Sequence, residues 1–204
     1  MKSANRKKAD DYSRISTCYH ESSHAIIAIN NYFKVTQLQA LSEEGFCKID
    51  YFSNINLFHN KSVINRIAIL EAQVYCAGME GEKLYRKDIC GCTKFPRVLY
   101  GAYDDVQRIS ALIKQFNLAE PGYARTRFKV SLQSKTNKFL QEHWLEVKAL
   151  AHSLYKRKTI SFDDIKKILL KINKPFWKEK FDNLDILGSQ ELWEEKELIE
   201  LGFI

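Results

Sequence analysis

The chain has 204 residues, enough to bury a substantial core as one domain with an appendage or as two small domains, and its 45% hydrophobic and 28% charged residues describe an ordinary globular protein. The longest apolar runs, such as Ala25 to Ile29, are too short to span a bilayer. The net charge of +7 is spread along the chain without an aromatic–basic motif, so nucleic acid is not an expected partner.

The amino terminus, Met1 to Asp10, is basic but has no apolar stretch behind it. It reads as a basic arm over residues 1–11 rather than a secretory signal, which predicts a cytoplasmic protein. Five cysteines (Cys18, Cys47, Cys76, Cys90 and Cys92) are an odd number without regular spacing, as for reduced thiols. Cys90 and Cys92 read as loop cysteines without a metal role.

The next stretch, Ser16 to Ile29, has helical character, with Ile15, Tyr19, Ile26, Ile27 and Ile29 apolar and no Gly or Pro among them. It contains His20-Glu-Ser-Ser-His24. Two histidines four apart lie one turn apart on the same helix face, where both imidazoles can reach one metal ion. Glu21 then sits beside the ion's open position, where a carboxylate can take a proton from water. Asn30-Asn31 is the expected stop. Val35–Leu41 and Phe46–Phe52 read as two strands joined through Ser42-Glu-Glu-Gly45.

A long helix is expected from about Lys61 to Tyr85, with Val63, Ile67, Leu70 and Val74 as its apolar stripe and Ala77-Gly78 permitting close packing. Lys87 to Gly101 reads as an extended loop. A short helix follows over Tyr103–Phe116, and Pro121-Gly122 marks a turn. A longer helix is expected over about Lys129–Lys156, with Phe139 or Leu140, Trp144, Val147, Ala151 and Leu154 as its apolar face. Ser161-Phe-Asp-Asp164 resembles a capping box opening another helix, which Pro175 ends. The tail from Phe176 to Ile204 predicts one or two short helices.

Two histidines make an incomplete zinc site, since a catalytic site takes three protein ligands. His59, His143 and His152 stand in ordinary polar or helical settings. Gly101-Ala-Tyr-Asp-Asp105 is a better source: a glycine-bearing loop enters a helix whose first turn carries Asp104 and Asp105. Spacing alone equally allows these acids merely to complement the helix N-terminus.

Four stretches, in order, resemble the peptidase domain of the FtsH-type ATP-dependent zinc metalloproteases, the M41 peptidases. Tyr19-His-Glu-Ser-Ser-His-Ala-Ile26 is similar to the family's Tyr-His-Glu-Ala-Gly-His-Ala. Ile67-Ala-Ile-Leu70, followed by Cys76-Ala-Gly-Met-Glu-Gly-Glu82, is similar to the helix bearing Gly-Arg-Ala-Ala-Glu. Gly101-Ala-Tyr-Asp-Asp-Val-Gln-Arg108 resembles Gly-Ala-Ser-Asn-Asp and its continuation. Trp144 to Ala151 and Thr159 to Ile165 resemble the closing helices. The likeness covers about residues 12 to 170.

This resemblance implies a mainly α (α+β) fold: a helical zincin-like metallopeptidase domain with a small β-hairpin or sheet over residues 12–173, followed by a helical extension over 174–204. It implies Zn2+ held by His20, His24 and Asp105, with Glu21 as general base. Asp104 remains an alternative ligand, and Glu82 either an alternative or a group that orients a histidine. The implied activity is a zinc-dependent endopeptidase acting on protein or peptide substrates, with the Phe46–Phe52 strand as a place for substrate to add.

The chain departs from the family pattern in places. Ser22-Ser23 replaces Ala-Gly, and Tyr103-Asp104 replaces Ser-Asn. No Gly-x-x-x-x-Gly-Lys-Ser/Thr occurs, so coupling to ATP does not carry over. The expectation is therefore a stand-alone, ATP-independent module acting on flexible or unfolded chains, with a separate ATPase or a second copy as further partner. The alternative is a regulatory or scaffold protein that keeps the fold and cleaves poorly.

Overall fold

No Gly or Pro precedes Gly45, and the chain uses this freedom in one long helix, α1 (Lys2–Asn30). The computed structural model of the chain describes residues 2–41, 44–50, 61–91 and 100–189. Residues 2–11, expected as a basic arm, are the first turns of α1. From Cys18 to Ile29 the helix is buried on every side, so it is the central element of the fold. It ends where expected. Tyr32 adopts a left-handed conformation (φ 61°), the Phe33 amide bonds back to the Ala28 carbonyl at 2.8 Å, and the Tyr32 amide bonds to that of Ile29 at 3.1 Å. The Asn31 side chain donates to the Leu70 carbonyl at 3.1 Å, tying this end to the following helix.

Two strands follow, β1 (Lys34–Ala40) and β2 (Gly45–Asp50), antiparallel as the alternating pattern predicts. Residues 51 and 52 of the expected second strand lie outside the described residues. Val35, Leu38 and Ala40 face inward, their odd spacing explained by an irregularity in register between Val35 and Gln37. A third strand, β3 (Thr159–Ser161), pairs with β1 at Leu38↔Ile160, giving the order β2-β1-β3. The sequence carries no sign of β3, because three residues have no periodicity and the partner lies far away in the chain.

Helix α2 (Lys61–Cys90) runs past the expected end near Tyr85. Lys87 to Cys90, read as loop, are therefore helical, while the side chains of Cys90 and Cys92 and the segment 92–99 lie outside the described residues. Helix α3 (Tyr100–Gln115) begins three residues before the expected start. The single helix expected over Lys129–Lys156 is instead two, α4 (Tyr123–Glu142) and α5 (Trp144–Arg157), meeting at His143 (φ −111°, ψ 27°). The break has a tertiary cause: the His143 ring is held 4.3 Å from Phe139 and 4.6 Å from Phe176, and its Nδ1 lies 3.3 Å from the Glu146 carboxylate. No Gly or Pro announces it.

The capping box at Ser161 forms as read, opening α6 (Phe162–Ile172) with reciprocal Ser161 and Asp164 bonds. Helix α7 (Lys174–Ser189) follows at once, and its Trp177 and Phe181 are fully buried. This helix closes the main core, and residues 190–204 lie outside the described residues.

The fold is thus mainly helical with a small three-stranded antiparallel sheet. Helix α1 packs chiefly on α2 and α5 and against the sheet; α3 and α4 pack on α2. The main core joins α1, α2, α5, α6 and α7 with β1 and β3, while a second cluster of Ala72, Cys76, Ile109, Leu112, Ile113 and Leu132 fastens α3 and α4 to α2. Among the described residues no helix is long and apolar enough to cross a membrane.

Candidate metal centre

The apolar faces of α1 and α2 drive them together, and small residues set how close they come. At Gly78 on α2, a Cβ would stand 2.3 Å from His20 Nε2 and 2.6 Å from His24 Nε2. Any side chain there would fill the space both rings face, so only glycine is compatible with this arrangement. His20 and His24 lie one turn apart, with ring centroids 4.6 Å apart and planes nearly perpendicular.

Both rings are held by Nδ1. His20 Nδ1 lies 2.7 Å from Glu82 Oε1, and Ser16 Oγ donates to the other oxygen of Glu82 at 3.1 Å. His24 Nδ1 lies 2.7 Å from the Val74 carbonyl oxygen and donates to it, since a carbonyl can only accept. These contacts leave Nε2 of each ring directed at one carboxylate oxygen. That oxygen is Asp105 Oδ2 in the first turns of α3, 3.1 Å from His20 Nε2 and 3.3 Å from His24 Nε2.

The donor set fits a metal ion on chemical grounds. With Nδ1 donating, a neutral ring presents a lone pair at Nε2, and two such lone pairs facing a carboxylate oxygen repel. Asp105 Oδ2 is buried with no hydrogen-bond donor from a neutral ring to satisfy it. A proton or a cation resolves this. A tetrahedral zinc ion with bonds of about 2.0–2.1 Å separates its ligand atoms by about 3.3 Å, close to the spacing seen here. The three ligand atoms all lie within 4.8 Å of one another, and all three residues are buried.

The electrostatics follow from the same contacts. Burial opposes charge on His20, but the bonds to Asp105 and Glu82 outweigh it and raise the imidazole to about 10. Burial also works against the Asp105 charge, yet the two histidines hold it well below the usual carboxylate range. Glu21 is 6% exposed, and burial raises its carboxyl above the ordinary value despite the nearby histidines.

The geometry separates the sequence-derived residues. His20, His24 and Asp105 converge, Glu21 is near enough to interact with the charges of all three, and Glu82 acts on His20 Nδ1 rather than as a member of the cluster. Asp104 is exposed and lies outside the group. His59 lies outside the described residues, His143 sits in its aromatic cluster and His152 is exposed. The sequence reading missed the Val74 carbonyl and Ser16. The first is a backbone atom with no side-chain signal, and the second is a serine among many. Gly78 had a signal in Ala77-Gly78, noted there only as a packing feature.

No protein-family model and no curated protein matches this chain.

Proposed function

We propose that this chain is a zinc-dependent endopeptidase of the FtsH-type (M41) class, with a zincin-like helical fold. The observation that carries the reading is Asp105 Oδ2, delivered by α3 to within 3.3 Å of both Nε2 atoms of the motif helix. His20, His24 and Asp105 would hold the ion, leaving a position for water. When bound, zinc supplies Lewis acidity, lowering the pKa of water towards about 7.

The remaining steps belong to the chain. Glu21 accepts a proton from the attacking water at its carboxylate and delivers it to the leaving amide nitrogen. Burial supports this role, because a carboxyl with a raised pKa is a better acceptor near neutral pH. Glu82 and the Val74 carbonyl keep the two rings oriented and in the correct tautomer. Among the described residues β2 is an edge of the sheet, and Gly45 at its start lies against Glu21. An extended, flexible substrate adding to that edge would bring its backbone to the site.

The test is zinc stoichiometry with cleavage of an unfolded protein by wild type and Glu21→Gln. Zinc retained in both, with cleavage lost in the variant, supports the enzyme. A zinc-bound wild type that cleaves nothing supports a regulatory or scaffold role instead.

A further inference from the structure

Thr17 and Glu21 stand one turn apart on the face of α1 turned towards β2. Opposite them is Gly45, an exposed residue at the head of the strand. A Cβ at this position would lie 2.5 Å from Thr17 Cγ2, 2.9 Å from Glu21 Cγ and 2.9 Å from the Gln39 carbonyl oxygen. The Gln39 oxygen belongs to the strand paired with β2 and cannot yield without breaking the ladder. An added methyl must therefore displace the Thr17 and Glu21 side chains or lift the strand from the helix.

Among the described residues no hydrogen bond fixes the Glu21 carboxylate. What touches its carbon chain bears on where it stands. On one side that is the backbone of residue 45, brought close because the residue has no side chain. Exposure of Gly45 next to a buried Glu21 also means that the strand approaches the base while its own backbone stays open to an incoming chain.

We propose that Gly45 is a positioning residue for the general base: its bare backbone sets the Glu21 side chain against the motif helix, at the point where a substrate strand would meet the site. The inference rests on Glu21 acting as the base, but its structural half is readable without turnover. A misplacement of about 1 Å at a reacting group lowers rate by as much as about a hundredfold.

The experiment compares crystal structures, zinc stoichiometry and steady-state cleavage of wild type, Gly45→Ala and Thr17→Ser/Gly45→Ala. Removing Thr17 Cγ2 relieves the tightest contact, so the double variant keeps the strand docked if the single one does not fold. The expected result is a shifted Glu21 side chain with His20, His24 and Asp105 in place and zinc retained. kcat falls about ten- to a hundredfold while KM stays within about twofold. In the double variant Tm recovers and kcat does not. Glu21 unmoved in the Gly45→Ala crystal, or Tm and kcat recovering together, overturns the proposal. A wild type that binds zinc and cleaves nothing refutes the hydrolase reading; the Glu21 position in the variant crystal still decides whether residue 45 sets it.

Discussion

Gly81 and Ser23 occupy one small space where α2 crosses α1: a Cβ on Gly81 would stand 1.9 Å from Ser23 Oγ and 2.6 Å from Ser23 Cβ. The hydroxyl is committed there, since Ser23 Oγ donates to the Tyr19 carbonyl at 2.8 Å. Ser23 lies between His20 and His24 in the sequence, so the close approach of α2 to this part of α1 depends on a glycine opposite it.

Gly81→Ala is therefore expected to destabilise the protein by about 1–3 kcal/mol through overpacking, despite the better helix propensity of alanine. Adding Ser23→Gly moves the small residue to the other helix and should restore most of the loss. Urea denaturation of both singles and the double measures the coupling. Strictly additive effects would sink the idea that these positions share one space.

Metal affinity should respond to groups that never touch the ion. Glu82→Gln weakens the hold on His20 Nδ1 and is expected to lower zinc affinity about 10- to 100-fold with the fold intact. Gly78→Ala places a methyl where both Nε2 atoms point and should abolish binding. Competition with a chromophoric chelator reads both, and wild-type affinity in Gly78→Ala would remove the centre from this location.

Ser22 has the opposite character. It is fully buried, and its hydroxyl has no partner among the described residues. Replacing an unpaired buried hydroxyl by hydrogen removes a desolvation cost, so Ser22→Ala should stabilise the protein by about 1 kcal/mol. A lower urea midpoint for the variant would show that the hydroxyl has a partner after all.

Burial raises the Cys18 and Cys76 thiols to about 12, against an ordinary value of 9.0. The folded chain keeps these protons at pH values where the unfolded chain loses them. Their contribution to stability is complete below pH 9 and disappears as the pH rises towards 12. Tm measured across this window should fall less steeply in Cys76→Ala than in wild type. Peptide mapping after alkylation at pH 8 should find both cysteines unmodified; rapid labelling of either in the folded protein would contradict the burial.

Patterns that depend on neighbours in the chain are legible in the amino-acid order itself. The motif helix and its stop, the β1–β2 pair, the stripe of α2 and the Ser161 capping box all arise from local periodicity or local hydrogen bonding. The features that escaped are made by distant partners. β3 exists because Leu38 pairs with Ile160, and the break at His143 because Phe176 of α7 packs against that ring. Neither residue carries a local preference that would announce it.

The centre divides along the same line. Spacing within one helix determined that His20 and His24 share a face with Glu21 beside them, because side-chain direction along a helix is a local property. The choice between Asp104 and Asp105, the Glu82 contact across 62 residues and the Val74 contact across 50 were decided by how α2 and α3 lie against α1. That packing depends on the fit of whole helix faces, in which a missing Cβ at Gly78, Gly81 or Gly45 counts as much as any side chain, and such fit exists only once the chain has folded.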